Sequence, residues 1–327
     1  MADILDRLAV IVVNFGSSSL LRANLLPLAR ELPDARVVVV DNRTSDDERS
    51  TVLTLAAEED WEAVTPPTNT GFGAGMNLGV ARARDIGCTV FLLVNPDLSI
   101  SALSVAILLE AVRADPLSVV SPEVTRPDGT PWFSGADLYL DDGRIRSRRR
   151  RDEFAGARRE PWLSGACLMM TAGLWDRVEG FRDEYFLYWE DVDLSHRVRL
   201  AGGSLSVCPG STAVHAEGGT QAVGAVTAGT SRSALYYYYN IRNRLLFACR
   251  NLAIADILAW RRATVRVSWE ILLQGGRRQL VLVWPLLAAV RGALAGLDIV
   301  RRELRRRART AREAESKFSL GDHGDAA

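Results

Sequence analysis

Three apolar, mostly β-branched runs set the tightest limit on the fold: LAVIVVNF (8–15), ARVVVVD (35–41) and TVFLLV (89–94). Each gives way to a polar residue at its carboxyl end, namely Asn14, Asp41 and the Asn95-Pro96-Asp97 turn. Helix patterns lie between them: LLRANLLPLAREL, interrupted by Pro27, and GAGMNLGVARARDIG (73–87). SALSVAILLEAVRAD then reads as a helix with Ser101 as its N-cap, and SVVSPEV as a further strand. Continuous apolar strands alternating with helices predict an α/β fold with a mainly parallel sheet flanked by helices. Ligands in such sheets bind beyond the carboxyl ends of the strands. Asn14, Asp41 and Asp97 are therefore expected to face a ligand.

The chain of 327 residues holds one large domain or a domain plus an appendage. Its zero net charge hides an asymmetry: 16 Arg face 4 acidic residues between Arg242 and Arg312, a local excess of +12. The pattern becomes almost wholly helical beyond about residue 234. Residues 1–240 are read as the α/β domain, 241–312 as an Arg-rich helical extension and 313–327 as a structureless tail. The extension suits an anionic membrane surface, with a helical bundle or a homo-oligomer (dimer) interface carrying solvated Arg as the bland alternative. Nucleic acid is disfavoured because the aromatic residues fall within apolar helical patterns rather than on a stacking platform. No run reads as long and uncharged enough to span a bilayer; LVLVWPLLAAV (280–290) contains Pro285 and stops at Arg291. The acidic N-terminus does not resemble a signal peptide. Cys88, Cys167, Cys208 and Cys249 form no CxxC pair, so neither zinc nor a disulfide framework is expected. The expected location is cytoplasmic, peripheral on the inner face of the cell membrane. GRIRSRRRRDEFAGARRE (143–160) reads as a mobile surface loop.

Four places can carry chemistry. Asp97, at a strand end after a proline, suits a hard divalent cation such as Mg2+, which takes one or two protein carboxylates; the alternative is an Asx-type turn capping the next helix. WEDVDL crowds Glu190, Asp191 and Asp193 at a helix start, as a general base beside an aromatic pocket or as plain decoration of the helix terminus. His215 is a metal ligand, a proton carrier or a structural histidine, whereas His196, within the helix after WEDVDL, reads as structural. TNTGFGAGMNLG (68–79) imitates a dinucleotide fingerprint, but Met76 takes the third glycine's place and no strand precedes it. A nicotinamide enzyme is thereby excluded, while close approach of a ligand to Gly71 and Gly73 is not.

Taken together the blocks VIVVNFG (10–16), VVVVDN (37–42), NTGFGAGMNLGV (69–80), FLLVNPD (91–97), SGACLMM (164–170), YFLYWEDVDLSHRVRLAG (185–202), VH (214–215) and YYYNIRNRLLF (237–247) resemble the GT-A glycosyltransferases of family 2. The resemblance is to the rhamnosyltransferase-like and galactofuranosyltransferase-like branch and covers residues 10 to about 250. It implies a GT-A, Rossmann-like fold and an inverting, metal-dependent transfer of a hexosyl group. It also implies roles. Asp41 binds the nucleotide base or ribose, and Asn14, Asn69, Gly71 and Asn77 belong to the donor pocket. Asp97 holds Mg2+ or Mn2+ on the donor diphosphate with His215, and Asn95 makes a neutral contact near the sugar or ribose. Asp191 is the base, supported by Glu190.

By the same resemblance the donor is a nucleotide-diphosphate sugar, with rhamnose or galactofuranose leading. The acceptor is a saccharide hydroxyl, most readily on a polyprenyl carrier, in cell-wall or surface polysaccharide synthesis. Two alternatives accompany it: a catalytically silent membrane-associated scaffold of the same fold, and transfer to a small metabolite. A sugar nucleotidyltransferase would need a basic Gly-rich loop after the first strand, which NFGSSSLLRAN does not supply.

Overall fold

The computed structural model describes residues 7–216, 232–276 and 282–321. They divide into two compact units, Met1–Tyr139 with Ile145–Ala228, and Leu140–Arg144 with Gly229–Ala327. The second unit thus takes in a short stretch that the sequence places with the first.

The first unit is built on a mixed sheet of nine strands flanked by helices. β1 (Leu8–Asn14), β2 (Arg36–Asp41), β3 (Glu62–Val64) and β4 (Val90–Val94) are parallel, in the order β3-β2-β1-β4. The side chains of β1, β2 and β4 are almost all buried on both faces, as their apolar runs require, while β3 at the edge is half-buried. α1 (Ser18–Leu20) continues through a π segment (Leu21–Leu25) into α2 (Leu26–Glu31), whose early Pro27 has no N–H to give. α3 (Asp46–Glu58) and α4 (Phe72–Asp85) follow. α4 lies close on the sheet because Gly79 has no side chain; a Cβ there would come within 2.5 Å of Ile11 Cγ2.

β5 (Leu98–Ile100) separates Asp97 from α5 (Ala102–Ala114), which Ser101 caps by accepting the Ser104 N–H. Then come β6 (Ser118–Thr125), β7 (Pro131–Phe133), β8 (Ala136–Tyr139), β9 (Arg144–Ser147), β10 (Arg159–Trp162) and β11 (Cys167–Thr171). α6 (Ala172–Arg177), α7 (Glu190–Leu200) and β12 (Ser204–His215) complete the unit. β11 enters the sheet antiparallel to β4, β12 runs parallel to β6, and β5 closes the edge antiparallel to β12.

The basic stretch 143–160 is not a bare loop. It forms β9, two 3-10 turns and β10, with β8 at the centre of a three-stranded sheet. Buried Asp137 on β8 organises it by accepting two hydrogen bonds of 2.6 Å from Arg151, while Arg146 covers the Phe154 ring at 3.8 Å. The charges read as solvated are therefore partly used for folding.

In the second unit α8 (Ala234–Asn251), α10 (Thr264–Leu273) and α11 (Val283–Gly321) share a core around Tyr237, Ile241, Leu272, Ala288 and Ala289, while α9 (Ile254–Arg262) stacks Trp260 on Phe247 of α8 at 5.7 Å. Gly292 and Gly296 let α11 approach Tyr238 and Leu245 on α8. Arg244 is buried, donates to the Asp142 and Trp260 carbonyls, and is pushed down to about 9 by desolvation. α11 is longer than the sequence pattern suggests. It is helical to Gly321, beyond the expected start of the tail at 313, and 322–327 lie outside the described residues. By length and composition it also contains a stretch able to cross a membrane, contrary to expectation. Pro285 is in its first turn, where a missing N–H costs no intrahelical bond, and Arg291 interrupts the apolar run without ending the helix.

Candidate active site

Sheet pairing brings Asp97 and His215 together. The Asn95 N–H donates to the Ala166 carbonyl at 2.9 Å, the Leu98 N–H to the Asn95 carbonyl at 3.1 Å, and Asn24 Nδ2 to the Pro96 carbonyl at 2.8 Å. These bonds turn the chain from β4 into β5. β12 ends with His215 opposite Leu98, and the Ala216 N–H donates to the Asp97 carbonyl at 3.0 Å. His215 Nε2 consequently lies 3.1 Å from Asp97 Oδ1, with both side chains buried. The pair is close without hydrogen-bond geometry: among the described residues Asp97 Oδ1 and both His215 ring nitrogens lack a hydrogen-bond partner, as does Asn95 Oδ1. Buried polar atoms left unpaired cost about 1–3 kcal/mol each. A carboxylate oxygen and an imidazole nitrogen facing each other in this way fit a shared divalent cation. Among the described residues no group of three or more His, Cys, Asp or Glu surrounds such a position.

Asp191 stands at the start of α7, behind a contorted aromatic loop. Phe186, Tyr188 and Trp189 have φ of 60°, 63° and 76°, conformations costly for bulky residues. The loop is held at Phe186, whose carbonyl accepts the Phe72 N–H at 2.8 Å. Gly71, at φ 87°, passes so close that a Cβ would collide with that carbonyl. Asp191 Oδ2 accepts the Gly165 N–H at 2.8 Å and Oδ1 the Val192 N–H at 2.8 Å. Burial raises Asp191 to about 6 against the opposing pull of those two backbone donors. Glu190 is raised well above the usual carboxylate range, first by burial and then by the neighbouring Asp191 charge, and its Oε2 is unpartnered. Asp193, the third acid of WEDVDL, is structural: Arg182, the Tyr185 hydroxyl and Arg197 all donate to it.

The other expected donor residues separate into two groups. Asp41 keeps Oδ1 unpartnered and buried, while Oδ2 accepts Arg49 Nε at 2.6 Å. It lies opposite Asn14 across the β1–β2 pairing. Asn14 is occupied within the protein, accepting from Ser17 and donating to Glu48. Asn77 is likewise spent on Phe181 and Asp183, bracing α4 against the loop before the aromatic segment. Asn69 accepts the Gly71 N–H at 2.8 Å and so shapes its own turn.

Three residues matter that sequence reasoning did not single out. Gly165 fixes Asp191; its only signal was the small-residue pair within SGACLMM. Asn42 holds the 69–71 turn by accepting from Thr70 and donating to the Gly71 carbonyl. Trp132 packs its ring on His215 at 4.4 Å, and nothing local in DGTPWFSGAD indicates it.

Unpaired carboxylates and a histidine thus stand at the carboxyl ends of strands in a mixed α/β sheet, and a raised-pKa acid opens α7. The chain belongs to glycosyltransferase family 2: residues 6–243 match the family described as "Glycosyltransferase like family 2". It is 22% identical over 301 residues to the low-salt glycan biosynthesis hexosyltransferase Agl10 of Haloferax volcanii, covering 90% of this chain and 92% of that one. It is 26% identical over 236 residues to the N-acetylglucosaminyl-diphospho-decaprenol L-rhamnosyltransferase of Mycobacterium tuberculosis, covering 64% and 76%. Among solved structures, the Pyrobaculum calidifontis mannosyltransferase in complex with GDP-Man and Mn2+ aligns with a TM-score of 0.50 at 16% identity, over 91% of this chain and 87% of that one. GalNAc-T7 with UDP, GalNAc and Mn2+ aligns at 0.53 and 13% identity, over 85% of this chain; the match spans 58% of that protein's length. The GT-A fold expected from the sequence is thereby established, and the chain is a glycosyltransferase.

Proposed function

We propose that this glycosyltransferase is a metal-dependent, inverting hexosyltransferase that moves rhamnose or galactofuranose from a nucleoside diphosphate to a saccharide hydroxyl on a polyprenyl carrier, in cell-wall or surface polysaccharide synthesis. The observation that carries it is the joint at Gly165-Ala166, where successive residues bind Asp191 and Asn95. Through it, the base and the turn bearing Asp97 share one rigid mount.

Asp41, through its unpaired oxygen, accepts from the ribose or base. Asp97 and His215 would hold Mn2+ or Mg2+, and the ion would supply charge neutralisation for a departing diphosphate. Asn95 Oδ1 accepts a hydroxyl from the donor sugar or ribose. Asp191, ionised above pH about 6, removes the proton of the acceptor hydroxyl, which attacks the face of the sugar opposite the diphosphate. Glu190, whose protonated form burial and the Asp191 charge favour, supports that geometry. A single displacement inverts the anomeric centre.

The rhamnosyl branch is supported by the mycobacterial relative, whose name specifies both L-rhamnose and a decaprenol-linked acceptor. Peripheral attachment to the cytoplasmic leaflet is supported by α11. There Val283, Leu287, Val290 and Leu294 form an exposed stripe at helical spacing, next to Trp284, which is 74% exposed. Arg291, Arg301, Arg302 and Arg305 are exposed on the same helix. A panel of nucleotide sugars, screened with Mn2+ by thermal shift and then by release of nucleoside diphosphate, tests the reading. Stabilisation and acceptor-dependent release with a rhamnosyl or galactofuranosyl donor support it; binding of no donor refutes it.

A further inference from the structure

We infer that Trp132 is a positioning residue that sets the plane of the His215 imidazole beside Asp97, an inference that rests on the metal-dependent reading above. A histidine that binds a cation through one nitrogen ordinarily donates its other N–H to a carboxylate or carbonyl, which fixes both tautomer and ring orientation. His215 has no such partner. Among the described residues neither Nδ1 nor Nε2 has a hydrogen-bond partner, so apart from Asp97 Oδ1, 3.1 Å from Nε2, no polar contact sets the ring's rotation. The Trp132 ring lies against it instead, centroid to centroid at 4.4 Å and inclined by 39°.

The backbone is arranged to deliver that contact. At Val124 and Thr125, β6 pairs with β12 residues Ala213 and Val214, immediately before His215. The same two residues pair with Phe133 and Pro131 of β7. Two positions on β6 thus oppose three on β7, and Trp132 is the extra one. A bulge of this kind re-aims one side chain out of the regular alternation. Phe133 then packs edge-on against Trp162 at 5.4 Å, which anchors the strand on the other side of the bulge. Asp128 closes the preceding turn by accepting the Thr130 N–H and hydroxyl. Trp132 therefore takes over, through ring packing, the orienting task that a hydrogen-bond acceptor performs elsewhere.

Calorimetry of wild type and variants tests this, using whichever of UDP, GDP and dTDP the wild type binds most tightly, with Mn2+ and with EDTA. Trp132→Ala should lose at least about tenfold of the Mn2+-dependent tightening while its affinity in EDTA stays within about twofold. Trp132→Phe, which keeps a ring, should retain most of the tightening. Trp132→Ala added to His215→Ala should cost nothing further, since the two act as a unit. The inference is overturned if Trp132→Ala keeps the full tightening, if it loses affinity equally in EDTA, or if the two substitutions add. If the wild type itself shows no Mn2+ dependence, or binds none of the three nucleotides, the metal reading fails and this inference with it.

Discussion

The Asn95 N–H donates to the Ala166 carbonyl at 2.9 Å, and the residue before Ala166 donates its own N–H to Asp191. The Asn95-Pro96-Asp97 turn and Asp191 are therefore held at the two ends of one two-residue segment, Gly165-Ala166. Cys167 pairs with Val94 in the next sheet position, so the joint continues into the most buried strands of the sheet. A side chain at Gly165 would press on Asp191 Cβ at 3.3 Å and on Phe72 at 3.5 Å.

With Asp191 as the proposed base, its removal should separate binding from chemistry. Asp191→Asn should leave donor affinity within a few-fold and lower transfer by about 10²-fold or more. In wild type, burial holds Asp191 at about 6, and a base works only when deprotonated. Steady-state kcat/KM should accordingly fall as pH drops through about 6. Glu190→Gln, which copies the neutral acid, should leave that limb in place. A limb near pH 4, or a limb that moves with Glu190→Gln, would show that the carboxylates are charged differently.

The same substitution should change how stability depends on pH. A carboxyl whose folded pKa is raised penalises the native state fully above that pKa, and the penalty vanishes below the unfolded value near 3.8. Asparagine removes that penalty but keeps one oxygen for the Gly165 and Val192 N–H groups, a loss present at every pH. In urea unfolding, the stability of Asp191→Asn relative to wild type should therefore be higher at pH 8 than at pH 4, by up to about 3 kcal/mol. A difference of equal size at both pH values would contradict the raised pKa.

Gly71→Ala should be disruptive well beyond an ordinary surface substitution. It combines φ of 87° with a collision against the Phe186 carbonyl, and a loss of about 2 kcal/mol or more is expected from strain alone. Because the 186–189 loop leads directly into Asp191, kcat should fall with stability. Unchanged melting temperature and activity would contradict this account of the turn.

The sequence revealed the fold where its signal is local. β1, β2 and β4 are runs of buried β-branched residues, and their ends were recognisable from the polar residues that terminate them. β5 and β7 to β10 were not, because strands of three or four residues are defined by distant partners such as β12 rather than by their own pattern. The same distinction holds within the site. Asp97, His215 and Asp191 could be named because their chemistry is visible in the residue type. Asn14 and Asn77 could not be sorted from Asn95, since an amide does not show in sequence whether Ser17, Phe181 or a ligand will occupy it. The joint at Gly165 uses backbone groups, to which sequence patterns are blind.

Membrane contact has its own test. Flotation with anionic liposomes at low salt should bring the protein to the top of the gradient. Trp284→Asp combined with Leu287→Asp, both exposed on α11, should reduce the floated fraction about tenfold or more. Equal flotation of wild type and variant, or none by either, would remove α11 as the anchor.

The decisive measurement is the configuration of the product. With the donor that the nucleotide-sugar panel identifies and a polyprenyl-linked acceptor, the anomeric proton of the new linkage should show by NMR the configuration opposite to that of the donor, in reactions that Mn2+ supports, EDTA stops and Asp191→Asn nearly abolishes. A product of retained configuration, or full turnover by Asp191→Asn, would contradict a single displacement driven by Asp191.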